Sequence, residues 1–135
     1  MTGKIPLPAK YSCVMVVDDN PIDQYIARHN LKEFCIAGEV MVYGSSVAAL
    51  AYLQSCTDTA GLIPDIILLD IHMPDMDGFD FLMEYEKLPA FINRHCQIIM
   101  LSSSIDPSDH ERLKNNPFVN GFIGKPLNRK SLVNL

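Results

Sequence analysis

The 135-residue sequence lacks the features of membrane, secreted and nucleic-acid-binding proteins. No apolar run reaches the ~18 residues that a membrane span requires, and the first ten residues lack the apolar core of a signal peptide. Eleven basic and sixteen acidic residues give a net charge of −5, so there is no basic excess for binding nucleic acid. We therefore expect neither nucleic acid nor a membrane as a partner.

Cysteine motifs and domain linkers are absent as well. The four cysteines show no CxxC or Cys/His metal spacing, and each has apolar neighbours, which favours buried thiols in a reducing cytoplasm (Cys13, Cys35, Cys56 and Cys96). There is no internal repeat and no linker long enough to divide domains. We expect residues 1–11, with two prolines, to form a short leader and residues 12–135 to form one domain.

Short apolar runs alternate with amphipathic stretches along the chain. Continuous apolar runs of this kind are typical of strands in a parallel sheet covered on both faces, and they occupy residues 13–17, 40–43, 65–70, 97–102 and, more weakly, 119–124. The first run is followed at once by Asp18, and the third and fourth runs end in the polar residues Asp70 and Ser102. The pattern predicts five strands.

Five helices fit between and after these strands. Asn20-Pro21 is a cap followed by proline, which predicts a helix to about Phe34. Further helix starts are indicated at Ser45 or Ser46, at Asp77-Gly78, at Asp106-Pro107 and at Pro126 to Asn128, the last helix ending after about two turns. Residues 90–96 form either a surface loop or an extra half-turn. Alternating strands and helices predict an α/β fold with a doubly wound parallel sheet.

The polar residues at the strand ends form one candidate site. Ligands of such sheets bind beyond the carboxyl ends of the strands, where Asp18, Asp19, Asp70, Ser102 and Lys125 stand. Close carboxylates repel one another unless a cation compensates them, and hard oxygen ligands favour Mg²⁺ or Mn²⁺. A hydroxyl and an ammonium suit phosphoryl oxygens. These residue types indicate phosphoryl transfer to a carboxylate.

Four segments of the sequence resemble the motifs of the response-regulator receiver domain of two-component signalling. They are residues 16–20 (VVDDN), 68–78 (LLDIHMPDMDG), 100–103 (MLSS) and 122–126 (FIGKP), in the order and spacing of that family. The resemblance covers residues 13–135. It implies a (βα)5, CheY-like (flavodoxin-like) fold with strand order 2-1-3-4-5.

The same resemblance implies a role for each matching residue. Asp70 becomes the phosphoacceptor and a metal ligand. Asp18 and Asp19 become the acidic pair that binds Mg²⁺ directly or through water, with the backbone carbonyl of His72 as a further ligand. Lys125 pairs with Asp70 before phosphorylation and with the phosphate afterwards, and the Lys125-Pro126 bond fits the cis peptide common at this place.

Two further residues are implied to form the switch. Ser102 matches the Ser or Thr that hydrogen-bonds the phosphoryl group, although Ser103 is the alternative in this run of serines. Phe122 matches the aromatic switch position, and ordinary core packing is its alternative. We expect Ser102 to move toward the phosphoryl group and Phe122 to fill the space it leaves, which changes the face formed by the fourth helix, the fifth strand and the fifth helix.

Other interpretations of single residues remain open at this point. Asp18 or Asp19 could cap the first helix, although Asn20 already offers that cap. His72 could be a relay histidine or a side-chain metal ligand, or it could alter the lifetime of the phosphoryl group. The other histidines have no partner at a telling spacing, and we expect them at the surface (His29, His95 and His110).

As a whole, the sequence predicts a cytoplasmic signalling switch rather than an enzyme. Its expected partners are a histidine kinase or a histidine-phosphotransfer protein and an unknown downstream protein, and the chain is either a stand-alone receiver or part of a longer protein. Two rival functions are an aspartate-nucleophile phosphatase and an interaction module that is never phosphorylated. The nucleophile of such a phosphatase sits in a DxD motif near the first strand. The phosphatase is disfavoured because here Asp18 and Asp19 are adjacent and Asp70 is followed two places on by His72.

Overall fold

The computed structural model describes residues 8–57, 62–103 and 106–135. The strands are β1 (Tyr11–Val17), β2 (Ala37–Tyr43), β3 (Ile66–Asp70), β4 (Gln97–Ser102) and β5 (Val119–Gly124). The helices are α1 (Pro21–Glu33), α2 (Ser46–Ser55), α3 (Gly78–Tyr85), α4 (Ala90–Asn93), α5 (Pro107–Lys114) and α6 (Arg129–Leu132). The expected leader falls partly outside the described residues, so its boundary at residue 12 stays a prediction.

The five strands form one parallel sheet in the order β2-β1-β3-β4-β5, which confirms the predicted fold. β3 lies between β1 and β4, with Leu69 opposite Val17 and Asp70 opposite Leu101. Because all strands run the same way, their carboxyl ends share one edge of the sheet. Among the described residues, no helix is long and apolar enough to cross a membrane.

Apolar side chains cover both faces of the sheet. All five residues of β3 are buried, as are the last five of β1, because successive side chains point to opposite faces and both faces are packed. Residues of β3 alternate between two core clusters: Ile67 and Leu69 pack with α2 and α3, and Ile66 and Leu68 pack with α1 and α6. Edge strand β5 has no fully buried residue.

Side-chain caps begin the helices where the sequence predicts them. Asn20 Oδ1 accepts hydrogen bonds from the backbone N–H groups of Ile22 (2.9 Å) and Asp23 (3.1 Å) at the start of α1. Ser45, rather than Ser46, caps α2. Asp77, Asp106 and Asn128 cap α3, α5 and α6 in the same way. These caps satisfy backbone N–H groups that have no partner within the helix.

The structure differs from the sequence prediction in two helices. Residues Ala90–Asn93 form the additional one-turn helix α4, which settles the open choice between a loop and a half-turn. It forms because Ile92 is fully buried in the core and anchors the segment. The last helix, α6, has four residues instead of about two turns.

The loop that follows β3 is held close to the sheet at both ends. Gly78 donates its backbone N–H to the carbonyl of Ile71 (2.8 Å), and a Cβ at Gly78 would lie 3.2 Å from the Cα of Ile71. The carboxylate of Asp75 accepts hydrogen bonds from Ser45 Oγ (2.6 Å) and the Val47 N–H (3.1 Å) at the start of α2. The backbone after Asp70 is therefore tied to two elements.

Helix α1 ends in a left-handed residue that is not glycine. The N–H of Ile36 bonds to the carbonyl of Leu31 (2.9 Å) and the N–H of Cys35 to that of Lys32 (3.1 Å), which is the Schellman pattern. Cys35 takes the left-handed position, with φ of 56°. It is half-buried, whereas Cys13, Cys56 and Cys96 are buried as expected.

We predict that Cys35→Gly raises the free energy of unfolding by roughly 0.5–1 kcal/mol, because glycine adopts the left-handed conformation without the Cβ clash. Urea denaturation followed by circular dichroism measures the change. Cys35→Ala is the matched control, since it removes the sulfur and keeps the Cβ. An equal gain in both variants would show that backbone strain is not the cause.

Candidate functional site

The carboxyl ends of two neighbouring strands bring the expected acidic residues together. Asp18 and Asp19 follow β1, and Asp70 is the last residue of β3. Each of the three carboxylates offers an oxygen, and these oxygens all lie within 4.8 Å of one another. Asp18 and Asp70 are buried, whereas Asp19 is exposed at the mouth. Among the described residues, this is the one place where three or more side chains that could bind a metal ion lie together.

Lys125, which follows β5, contacts two carboxylates of this acidic group and one carboxylate outside it. Its Nζ is 2.7 Å from Asp18, 3.0 Å from Asp70 and 3.1 Å from Asp23. Burial by itself would lower the pKa of Lys125, but hydrogen bonds to these three carboxylates together raise it above its ordinary value of 10.5. The lysine is therefore a fixed positive charge across the physiological pH range.

The buried carboxylate of Asp18 is electrostatically disfavoured despite this lysine. Burial raises the pKa of Asp18 above its ordinary value of 3.8, and the neighbouring Asp70 adds to the rise. The hydrogen bond from Lys125 and that from the N–H of Asn20 (2.9 Å) oppose the rise without cancelling it. A second cation near Asp18 would relieve the remaining cost.

The donor set of the acidic group fits a hard divalent cation. Carboxylate oxygens without a histidine or cysteine among them are the ligands that Mg²⁺ and Mn²⁺ prefer. The side chain of His72 is not in this group; it is 67% exposed, and its Nε2 lies 3.8 Å from the Asp109 carboxylate on α5. The backbone N–H of His72 donates to Asp70 Oδ1 (3.2 Å). Its carbonyl as a ligand stays a prediction.

The two predicted switch residues lie on β4 and β5, the next two strands of the sheet after β3. Ser102 is the last residue of β4 and is buried, and its carbonyl accepts a hydrogen bond from the N–H of Lys125 (2.9 Å), whereas Ser103 is exposed. Phe122 is half-buried on β5, opposite Met100. Its ring centroid lies 4.3 Å from that of His110 on α5. The peptide bond between Lys125 and Pro126 is cis, as expected.

Sequence reasoning missed one residue of the site and several partners. Asp23, in the first turn of α1, reaches Lys125 although it belongs to none of the four motifs. The only sequence signal was its place three residues after the cap Asn20. His95 also has a partner, since its Nε2 lies 2.8 Å from Asp65, and His110 packs on Phe122. His29 and His95 are exposed, as expected, whereas His110 is half-buried.

We predict that Asp18→Asn stabilises the protein at pH 7 without divalent metal, by about 1 kcal/mol. Because the folded-state pKa of Asp18 is raised above 3.8, its favourable contribution is complete below 3.8 and declines as pH rises through the folded-state value. The variant should thus gain over wild type as pH rises from 4 to 7. Lys125 keeps Asp70 and Asp23 as partners. Urea unfolding at several pH values measures this.

Addition of Mg²⁺ should reverse the order, because an ion that binds only the folded wild type stabilises it by mass action. Glu111→Gln, an exposed site on α5, is the control for loss of one negative charge and should follow wild type in both conditions. A metal-free Asp18→Asn less stable than wild type from pH 5 to 8 would contradict the assignment of burial cost to Asp18.

Comparison with known proteins places the chain in a family. A family model described as the response regulator receiver domain matches residues 14–135. Two-component response regulator ORR1 of rice, Oryza sativa subsp. japonica, is 28% identical over 124 residues, covering 90% of this chain and 52% of ORR1. The chain thus spans about half the length of this curated relative.

Solved structures support the same placement. A response regulator receiver protein from Dyadobacter fermentans matches with a TM-score of 0.78 and 31% identity over 88% of this chain and 90% of that one. The Mn²⁺-bound form of response regulator Rcp1 matches with a TM-score of 0.72 and 26% identity over 91% of this chain and 87% of that one. The chain therefore belongs to the response regulator receiver family, the signalling switches of two-component systems.

Proposed function

We propose that this receiver domain accepts a phosphoryl group on Asp70 from a histidine kinase or a histidine-phosphotransfer protein. The observation that carries the proposal is the position of Lys125, whose ammonium lies 3.0 Å from Asp70 inside a group of carboxylates. A carboxylate at the end of a buried strand, with a fixed cation beside it, is prepared to receive a group that brings negative charge. The aspartate is the nucleophile, and the lysine stabilises the product.

The transfer step exchanges one bond to phosphorus for another. An oxygen of Asp70 attacks the phosphorus of the donor phosphohistidine, the P–N bond breaks, and the donor imidazole leaves with its electron pair and takes up a proton. Asp18, Asp19, Asp70 and the carbonyl of His72 would hold Mg²⁺, or Mn²⁺ as in the Rcp1 neighbour. An ion bound there would supply positive charge near the phosphoryl oxygens. Lys125 then pairs with the phosphoryl group.

Phosphorylation changes the protein by adding charge at one point. The phosphoryl group brings about −1.5 to −2 charges and three strong acceptor oxygens. We propose that Ser102 donates its hydroxyl hydrogen bond to one of them and that Phe122 moves into the space behind it. Phe122 then leaves His110, so the surface formed by α5, β5 and α6 changes. The added charge at Asp70 would thus shift the equilibrium between two arrangements of the surface formed by α5, β5 and α6.

The signal would leave the domain by protein contact. We propose a downstream protein partner for the surface of α5, β5 and α6, no nucleic-acid or membrane partner, and no turnover of a separate substrate. We also propose a cytoplasmic location, which the four free thiols support.

We predict that incubation with acetyl phosphate and Mg²⁺ adds one phosphoryl group to the wild type and none to Asp70→Asn. Intact-mass measurement before and after addition of EDTA detects the gain. Lys125→Gln should lose most of the response to phosphorylation while remaining folded, since the phosphoryl group then lacks its ammonium partner. Asp80→Asn, an exposed carboxylate of α3, is the matched control and should gain mass like wild type.

Two outcomes would contradict the proposal. A gain that survives Asp70→Asn would place the phosphoryl group elsewhere, and no gain in the wild type would favour an interaction module that is never phosphorylated. Sustained hydrolysis of a small phosphate ester, with many turnovers for each protein molecule, would revive the phosphatase alternative.

A second prediction concerns the switch. Because the ring of Phe122 lies 4.3 Å from that of His110, it shifts the NMR signals of the imidazole protons of His110. Phosphorylation should remove most of this ring-current shift. In Phe122→Leu the signals should start near the unshifted position and change little. Unchanged His110 signals in a wild type that mass spectrometry shows to be phosphorylated would rule out movement of Phe122.

A further inference from the structure

Asp23 is a third carboxylate partner of Lys125, and it lies outside the acidic group of Asp18, Asp19 and Asp70. Its Oδ2 is 3.1 Å from Lys125 Nζ, and its side chain is 30% exposed. Asp18 and Asp70 contact the same ammonium at 2.7 and 3.0 Å, but both also belong to the group of oxygens within 4.8 Å. Asp23 does not belong to that group. It can therefore bind Lys125 without serving a metal ion.

The backbone around Asp23 fixes this position. The N–H of Asp23 donates to Asn20 Oδ1 (3.1 Å), and the N–H of Asn20 donates to Asp18 Oδ1 (2.9 Å). The first turn of α1 is thereby tied to the metal-binding loop. An acidic side chain in the first turn is also stabilised by the partial positive charge of the helix N-terminus. Asp23 is thus held beside the site.

Lys125 needs such a partner when a cation arrives. Metal bound by Asp18 and Asp70 competes with the ammonium for the same two carboxylates. The Lys125 side chain is only 12% exposed, so leaving it without an anionic partner would cost free energy. Asp23 is the remaining carboxylate within 4.0 Å of Lys125 among the described residues. The ammonium can turn toward Asp23 without leaving the site.

We propose that Asp23 is a positioning residue that holds Lys125 while Asp18 and Asp70 bind the divalent cation, and that it thereby strengthens metal binding. The inference rests on the proposed function only in taking this group of carboxylates as the cation site. Asp23 acts through Lys125 and touches neither the metal nor the phosphoryl group. Its effect therefore depends on the charge of residue 125.

The test is the Mg²⁺ affinity of the wild type and three variants, measured by isothermal titration calorimetry. Asp23→Asn should weaken Mg²⁺ binding roughly three- to fivefold, the range of a partly exposed ion pair. Asp23→Glu should restore most of the affinity, since it returns the carboxylate. Glu33→Gln removes the same charge from the exposed end of α1 and should change the affinity less than twofold, because salt screens distant charges.

A double-mutant cycle with Lys125→Gln separates the contact from general electrostatics. In that background Asp23→Asn should have no more effect than Glu33→Gln, because no ammonium needs a partner. Thermal unfolding confirms that each variant is folded. Equal affinities of Asp23→Asn and Glu33→Gln, or an Asp23→Asn effect that persists without Lys125, would overturn the inference.

These outcomes are distinct from failure of the proposed function. Mg²⁺ binding requires no phosphoryl donor, so an effect of Asp23 can be measured even if acetyl phosphate adds no mass. Conversely, a wild type that binds Mg²⁺ and gains a phosphoryl group on Asp70, with an Asp23→Asn variant of unchanged Mg²⁺ affinity, would leave the proposed function intact and refute the role of Asp23. A wild type that binds no Mg²⁺ would refute it too.

Discussion

The contact of the Lys125 ammonium with the carboxylates around it is the interaction on which the site depends. Three carboxylates with oxygens within 4.8 Å of one another repel, and two of them are buried. The lysine compensates them from the end of β5, two strands away from β3 in the sheet. It does so only because the parallel strands end at one edge. The same carboxylates would bind a divalent cation, so the lysine both stabilises the metal-free site and competes with metal for it.

The surrounding structure keeps the parts of this site in fixed relation. Gly78 and Asp75 tie the loop after Asp70 to the sheet and to α2, and Asn20 ties the first turn of α1 to Asp18. Because these hydrogen bonds hold the loops in place, a change of charge at Asp70 would move them little. β5 is less tightly enclosed and can move more easily, because none of its residues is fully buried and Phe122 packs against the ring of His110. A response to phosphorylation would thus appear on that side.

Much of the fold was predictable because its signals are local. Apolar runs predicted all five strands, and cap residues such as Asn20 and Asp77 predicted helix starts, since both depend on neighbours in sequence. The short helix α4 was left undecided because one turn has no periodicity, and burial of Ile92 in the core decides it. The left-handed Cys35 gave no signal, since that position usually carries glycine or asparagine.

The sequence by itself determined the family and hence the order of the strands in the sheet. It also determined which polar residues stand at the strand ends and which aspartates form the acidic group, because the motifs and their spacing carry that information along the chain. The motif resemblance already paired Lys125 with Asp70, but only the tertiary structure showed that Asp23 meets Lys125 as well. Asp23 and Lys125 are 102 residues apart, and Asp23 belongs to none of the motifs. No local pattern encodes such pairs. They arise because helix α1 and the ends of β3 and β5 pack together, and that packing makes Asp23 part of the site.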